Sequence, residues 1–301
     1  MGLKRVGSDE ESFLGELCAV KEGVDERPRY GVVQVPYDAT TSYVSGASKG
    51  PKAVIDASAH VEFYDSELDC EPYEAGILTF EPLDISTHSP EVMVESVRCA
   101  VVEVVAGNMI PVILGGEHSV TLGAVKALKE KYKDLSIFQL DAHADMRDTY
   151  NGTPLNHACV ARRISELSPI TQVGVRSMSI EEAEFLKNHD GKPFNIDTFH
   201  ASDVVGKMDF AAITETLRDD VFITIDLDVL DPSIMPSTGT PEPGGLGWYE
   251  TLELLRRVSE EKNIVGFDVV ELSPIAAVVA PDFLAAKLVY KLMAYINNSV
   301  D

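Results

Sequence analysis

Cysteine is scarce in this 301-residue chain. The four thiols, Cys18, Cys70, Cys99 and Cys159, stand far apart with no Cys-x-x-Cys pair. That excludes a zinc ribbon and a secreted disulfide framework, and the four read as buried thiols. No uninterrupted run reaches the roughly 18 apolar residues of a membrane span, and Met1-Gly2-Leu3-Lys4-Arg5-Val6 leads into acidic residues, not an apolar leader. A cytoplasmic protein with no membrane partner is expected. There is no Gly-x-Gly-x-x-Gly and no Gly-Lys-Ser/Thr loop to cradle a nucleotide phosphate. Positive charge is also short: Lys plus Arg number 25 against 49 Asp plus Glu, a formal charge of −24. Such a chain repels nucleic acid and anionic membrane surfaces and would draw in a cationic small molecule. No linker, low-complexity tract or internal repeat divides it, so a single domain over residues 1–301 is expected, with the N-terminal ~25 residues as an arm or a poorly ordered segment.

What the chain does hold is an alternation of two patterns. Val/Ile/Leu-rich strands are predicted at Tyr30–Pro36, Gly76–Phe80, Ile110–Leu114, Ile137–Asp141, Ile170–Val175, Ile223–Asp226 and Ile264–Val270. Helical segments fall between and after them, from Gly50, over Pro90–Ala106, toward Tyr132, at His157, over Ile180–His189 and Phe210–Arg218, and from Trp248 and Asp282. This predicts an α/β chain with a central, mainly parallel sheet covered on both faces, a three-layer α/β/α arrangement. Ligands gather at the carboxyl ends of such strands. His118, Asp141, Asp226 and Glu271 all fall there.

Two of those ends are acidic. Ile223-Thr224-Ile225-Asp226-Leu227-Asp228 closes an apolar run with carboxylates two residues apart, which on a strand would share a face. Asp141-Ala142-His143-Ala144-Asp145 repeats the device after another strand. Carboxylates this crowded repel unless a cation lies between them, and an oxygen-rich set with imidazole suits Mn better than a thiolate-type metal. Asp231 before Pro232 reads as a turn residue. His60, His88, His189 and His200 read as ordinary histidines, and Trp248, Tyr249 and the C-terminal Leu/Ala stripe as core or interface.

Gly115-Gly116-Glu117-His118-Ser119, Asp141-Ala142-His143-Ala144-Asp145 and Asp226-Leu227-Asp228-Val229-Leu230-Asp231-Pro232 together resemble the metal signatures of the ureohydrolases, the arginase and agmatinase family. Gly239-Thr240-Pro241-Glu242-Pro243-Gly244-Gly245 and Glu271-Leu272-Ser273-Pro274 are supporting matches, and the likeness runs from Tyr30 onward. The resemblance implies the arginase-like fold and two Mn ions per chain. One would be held by His118, Asp141, Asp145 and Asp226, the other by Asp141, His143, Asp226 and Asp228, with Asp141 and Asp226 bridging. It further implies hydrolysis of a cationic guanidino substrate by a metal-bridging hydroxide, catalysis by His157, Asp145 and Glu271, substrate contact by Glu271 and His157, and a homotrimer or homohexamer. Glu271 would grip the guanidinium and His157 would shuttle the proton to the leaving amine. One departure is Ser237, where the family's Pro-Gly-Thr-Gly-Thr-Pro loop has glycine.

Asp148-Thr149-Tyr150-Asn151-Gly152-Thr153-Pro154-Leu155-Asn156 and Val270–Pro274 resemble the agmatinase branch. The implied reaction is agmatine to putrescine and urea, a step of polyamine biosynthesis. Aminopropyl-agmatine, guanidinobutyrate and arginine are the rival substrates, and a non-catalytic metal-binding relative is the rival of another class. No carboxylate-binding group for an arginine-type tail is recognisable between Asp145 and His157.

Overall fold

Eight strands form one sheet in the computed structural model, which describes residues 2–15 and 28–299. They are β1 (Tyr30–Val35), β2 (Ile77–Thr79), β3 (Ile110–Gly115), β4 (Leu135–Leu140), β5 (Ile170–Val175), β6 (Ile196–His200), β7 (Asp220–Asp226) and β8 (Asn263–Val270). Their order is β2-β1-β3-β8-β7-β4-β5-β6, and every pairing is parallel. Nine helices are described: α1 (Gly50–Ser58), α2 (Pro90–Ala106), α3 (Thr121–Lys131), α4 (Val160–Ser165), α5 (Ile180–Asn188), α6 (Ala201–Val204), α7 (Phe210–Thr214), α8 (Trp248–Glu261) and α9 (Ala280–Asn298).

Period-two alternation along the strands feeds two cores. Val112 and Leu114 of β3 join Leu254, Leu255, Leu288 and Val289 of α8 and α9, whereas Ile113 between them packs with Val97 and Val101 of α2 and Leu128 of α3. Both faces are therefore buried, which is why these strands read as largely apolar runs. The α/β expectation, with helices on either side of a parallel sheet, is met.

The differences are local. β6 was not expected: Ile196-Asp197-Thr198-Phe199-His200 is an edge strand, only half-buried, with polar residues interrupting its apolar signal. α7 ends at Thr214 instead of continuing to Arg218, because the hydroxyls of Thr214 and Thr216 turn back onto the carbonyls of Ala211 and Ile213. Of the thiols, only Cys159 is buried; Cys70 is half-buried and Cys99 exposed, while Cys18 lies outside the described residues. Cys99 is exposed because α2 commits Met93, Val97, Ala100, Val101 and Val104 to the core, leaving Cys99 on the solvent side. The apolar stripe of α9 is core, but Tyr249 is 82% exposed. Near the N-terminus, Arg5 bridges antiparallel to Phe80, and Phe13 and Leu14 are buried. Among the described residues, no helix is long and apolar enough to cross a membrane.

Candidate metal centre

Four strands adjacent in the sheet, β3, β8, β7 and β4, end at one place. Register aligns them: Leu140 pairs with Ile225, and Asp226 with Val270, so Asp141, Asp226 and Glu271 emerge in one row. His118 arrives from β3 through Gly115 and Gly116. A Cβ on Gly116 would stand 1.9 Å from the carbonyl oxygen of Tyr37, so only glycine lets the chain pass there. β7 itself stops at Asp226, and Leu227–Val229 forms a 3-10 turn. The expected strand pairing of Asp226 with Asp228 is thus corrected: Asp226 Oδ1 accepts the Asp228 N–H at 2.9 Å, and this turn, not the pleat, swings Asp228 toward the cluster.

His118 Nδ1 lies 3.1 Å from Asp141 Oδ2, 3.3 Å from Asp226 Oδ2 and 3.4 Å from Asp145 Oδ2. His143 Nδ1 lies 2.9 Å from Asp228 Oδ2 and 3.7 Å from Asp141 Oδ1. Two groups have ligand atoms mutually within 4.8 Å: His118, Asp141 and Asp145, and Asp141, His143 and Asp228. Asp141 belongs to both, the position expected of a bridge. Asp226 stands beside the first group.

All four aspartates are buried, so their charges cannot spread into water. Burial, then the charge of Asp141, pushes Asp145 up to about 7. Burial followed by Asp228 and Asp141 raises Asp226 well above the carboxylate range. The imidazoles move the other way from what burial alone would do. Burial disfavours the His143 cation, yet Asp228 and Asp141 lift it to about 11, and the carboxylates around His118 raise that ring likewise. Asp228, opposed by burial, is lowered by His143. The cluster therefore demands positive charge at its centre.

His157 and Glu271 face the same cavity, of about 260 Å³, lined also by Ser42, His143, Asp145, Asp226 and Asp228. Burial, then the positive charges of His118 and His143, holds His157 down to about 4, and its Nε2 is buried with no hydrogen-bond partner. Glu271 Oε1 accepts the His118 backbone N–H at 2.7 Å, and burial followed by Glu117 raises its carboxyl to about 8. Asp145 and Glu271 both sit in the left-handed region, at φ 51° and 66°. For non-glycine residues that costs about 1 kcal/mol or more each and is a mark of functional sites.

Three contributors were missed in the sequence. Glu117, fully buried, accepts from the Thr40 backbone and hydroxyl and from Ser119 Oγ; Thr40 in turn receives the His157 N–H and, at its carbonyl, Asn156 Nδ2. The loop bearing His157 is tied to the strand end bearing His118. Arg147 lines the cavity, its guanidinium 4.9 Å from the Tyr150 ring and its Nε 3.8 Å from Glu182. Arg147 carries no signal of this place in the sequence, because position 147 lies in an irregular loop, where no periodicity shows which way a side chain points. Arg176 donates to the carbonyls of Asp228, Glu242 and Pro243, joining the acidic turn to the Pro/Gly-rich loop. Asp231 is the turn residue expected, accepting from the N–H groups of Ser233, Gly244 and Gly245. Ser237 is buried, its carbonyl taking the Ser273 N–H.

The donor set fits a pair of divalent cations. His118 Nδ1 is buried and makes no well-aligned hydrogen bond although three carboxylate oxygens lie within 3.4 Å, a crowding that an ion shared between them would relieve. Oxygen donors with one imidazole in each group suit Mn and similar hard or borderline ions.

Comparison with known proteins agrees with this geometry. A protein of Synechocystis sp. named N(1)-aminopropylagmatine ureohydrolase is 41% identical over 277 residues, 89% of each chain. A Pyrococcus horikoshii protein named agmatinase is 36% identical, covering 87% of this chain and 89% of its own. The crystal structure of the agmatine ureohydrolase of Thermoplasma volcanium superposes with a TM-score of 0.81 at 30% identity, over 99% of this chain and 95% of that one. The Arginase family profile matches residues 28–295, a span that holds every strand of the sheet and every residue of the acidic cluster. By motif, fold and descent alike, the chain belongs to the arginase family.

Proposed function

We propose that the protein is a binuclear, Mn-dependent ureohydrolase that removes urea from a guanidinoalkylamine lacking a carboxylate. The observation that carries this is the placement of Glu271 and His157 in one cavity with the two acidic groups. His118, Asp141, Asp145 and Asp226 would hold one ion, and Asp141, His143, Asp226 and Asp228 the other. When bound, the ions would supply a hydroxide nucleophile at neutral pH and offset the buried carboxylates. Glu271 accepts the guanidinium N–H groups and fixes the plane of the group. His157, held as neutral imidazole by burial, is available to carry a proton to the nitrogen that leaves. Asp145, held in the left-handed region at φ 51°, would turn its carboxylate toward the same cavity. Overall, the guanidinium carbon gains a bond to the water-derived oxygen and loses its bond to the alkylated nitrogen, leaving with its two unsubstituted nitrogens as urea while the alkylamine keeps its own nitrogen, protonated through His157.

The Synechocystis relative supports N(1)-aminopropylagmatine as the substrate, which would yield spermidine. Agmatine, yielding putrescine, is the second reading, supported by the names of the Pyrococcus and Thermoplasma relatives. Arginine is disfavoured because the charge of Arg147 is matched by Glu182, whose two oxygens also accept the Met146 and Ser179 N–H groups. A tail carboxylate would meet a balanced pair, and a buried carboxylate without full hydrogen bonding costs several kcal/mol, roughly 10²-fold or more in kcat/KM. A homotrimer or homohexamer is proposed from the resemblance alone, and a cytoplasmic location from the composition of the chain. Urea release from N(1)-aminopropylagmatine, agmatine, guanidinobutyrate and arginine, measured with Mn-loaded protein, tests the proposal. Preference for either carboxylate-bearing compound would sink it.

A further inference from the structure

Behind His118, on the side away from the carboxylates, runs a chain of buried polar groups that the proposed chemistry does not use. His118 Nε2 lies 2.9 Å from Thr224 Oγ1. Thr224 Oγ1 lies 3.4 Å from Thr121 Oγ1, which donates to Asp268 Oδ2 at 2.8 Å. Thr224 of β7 and Asp268 of β8 are register partners, and Thr121 opens α3, so three elements converge on the back of one ring. Thr121, Thr224 and Asp268 are all 0% exposed.

The direction of this chain follows from its far end. An ionised carboxylate only accepts, so the Thr121 hydroxyl hydrogen points to Asp268. With the Thr121 hydrogen so committed, a Thr224 hydrogen turned toward Thr121, 3.4 Å away, leaves Thr224 a lone pair for the Nε2–H of His118. That tautomer keeps the ring's own lone pair on Nδ1, the atom surrounded by Asp141, Asp145 and Asp226.

We propose that Thr224, backed by Thr121 and Asp268, is a positioning residue that fixes the tautomer and the plane of His118 so that Nδ1 is ready to ligate. The inference rests on the reading of His118 as a metal ligand. Outer partners of ligating histidines typically set metal affinity by 10–100-fold.

The test is Mn titration of the metal-free full chain, by calorimetry with electron paramagnetic resonance of free Mn, for wild type, Thr224→Val, Thr224→Ser and Asp268→Asn. Thr224→Val keeps the side chain's shape and removes its hydroxyl. One of the two Mn affinities should fall by about 10–100-fold while the other, set by His143 and Asp228, changes little. Thr224→Ser restores the hydroxyl and should restore the affinity, a rescue that a packing role would not produce. Asp268→Asn should weaken the same Mn position, and it serves alone if Thr224→Val does not fold. Two Mn bound by Thr224→Val, or by Asp268→Asn in its place, at wild-type affinities would overturn the inference. Equal losses in Thr224→Val and Thr224→Ser would overturn it too. A wild-type chain that binds no Mn would instead overturn the metal reading itself.

Discussion

Glu271→Gln separates holding the guanidinium from building the metal centre, because the structure dictates how the new amide must sit. Glu271 Oε1 accepts the His118 N–H at 2.7 Å, so the amide oxygen has to take that place. The NH₂ group is then turned into the cavity, where the guanidinium N–H groups would arrive. A charge-assisted hydrogen bond, worth about 1.5–3 kcal/mol, is lost, and a donor now faces a donor. Together these come to about 3–4 kcal/mol, or roughly 10²–10³-fold in kcat/KM. The backbone N–H of residue 271 still donates to the Gly116 carbonyl at 2.8 Å, and the side chains of the acidic cluster are untouched. Mn content and thermal midpoint should therefore stay at wild-type levels. Steady-state urea release, read beside metal analysis on the same preparations, is the assay. A kcat/KM within about threefold of wild type, with both Mn in place, would show that the guanidinium is gripped elsewhere.

His157→Ala should lower kcat by roughly 10²–10⁴-fold with Mn content unchanged, as expected for loss of a positioned acid; undiminished turnover at saturating substrate would remove His157 from the proton path. A stability prediction lies away from the site, where buried Lys291 Nζ meets Asp65 Oδ2 at 2.9 Å. Burial works to raise the Asp65 carboxyl, but Lys291 and the N–H groups of Leu68 and Glu67 outweigh it and hold the group below its usual range. A depressed carboxylate contributes stability above the unfolded value of about 3.9 and loses it as pH falls through the folded value. Lys291→Met should thus cost about 3–5 kcal/mol at neutral pH and progressively less below about pH 4, measured by urea unfolding at both pH values. An equal cost at both would mean that packing of the Lys291 stem, not the charge pair, is what matters.

What could be read from the sequence was whatever repeats with a local period or sits in a contiguous motif. β3, β4, β7 and β8 are apolar on both faces because helices cover both, so their runs stand out, and each run ends next to a group that chemistry would notice: His118, Asp141, Asp226 or Glu271. The same logic hides β6, whose edge position lets polar residues in. It also misplaces Asp228, since a two-residue spacing looks alike on a strand and across a tight turn, and only the capping bond from Asp228 N to Asp226 Oδ1 decides between them.

Long-range support is a different kind of information. Glu117 reaches Thr40 across 77 residues of chain and thereby steadies His157, and Thr224 stands 106 residues from His118. No local pattern could propose either pair, because each contact is made by the sheet order β1-β3-β8-β7 and not by spacing. The left-handed backbone at Asp145 and Glu271 is hidden for a further reason. Glycine announces such a conformation and an acid does not. Strain of this kind persists only where the surroundings over-determine it. Here the Glu271 N–H is committed to Gly116 and its carboxylate to the His118 N–H, while the Asp145 carbonyl takes the Arg162 N–H. The two acids are held by the elements they must connect, which is why both can face the one cavity and not the chain's own convenience.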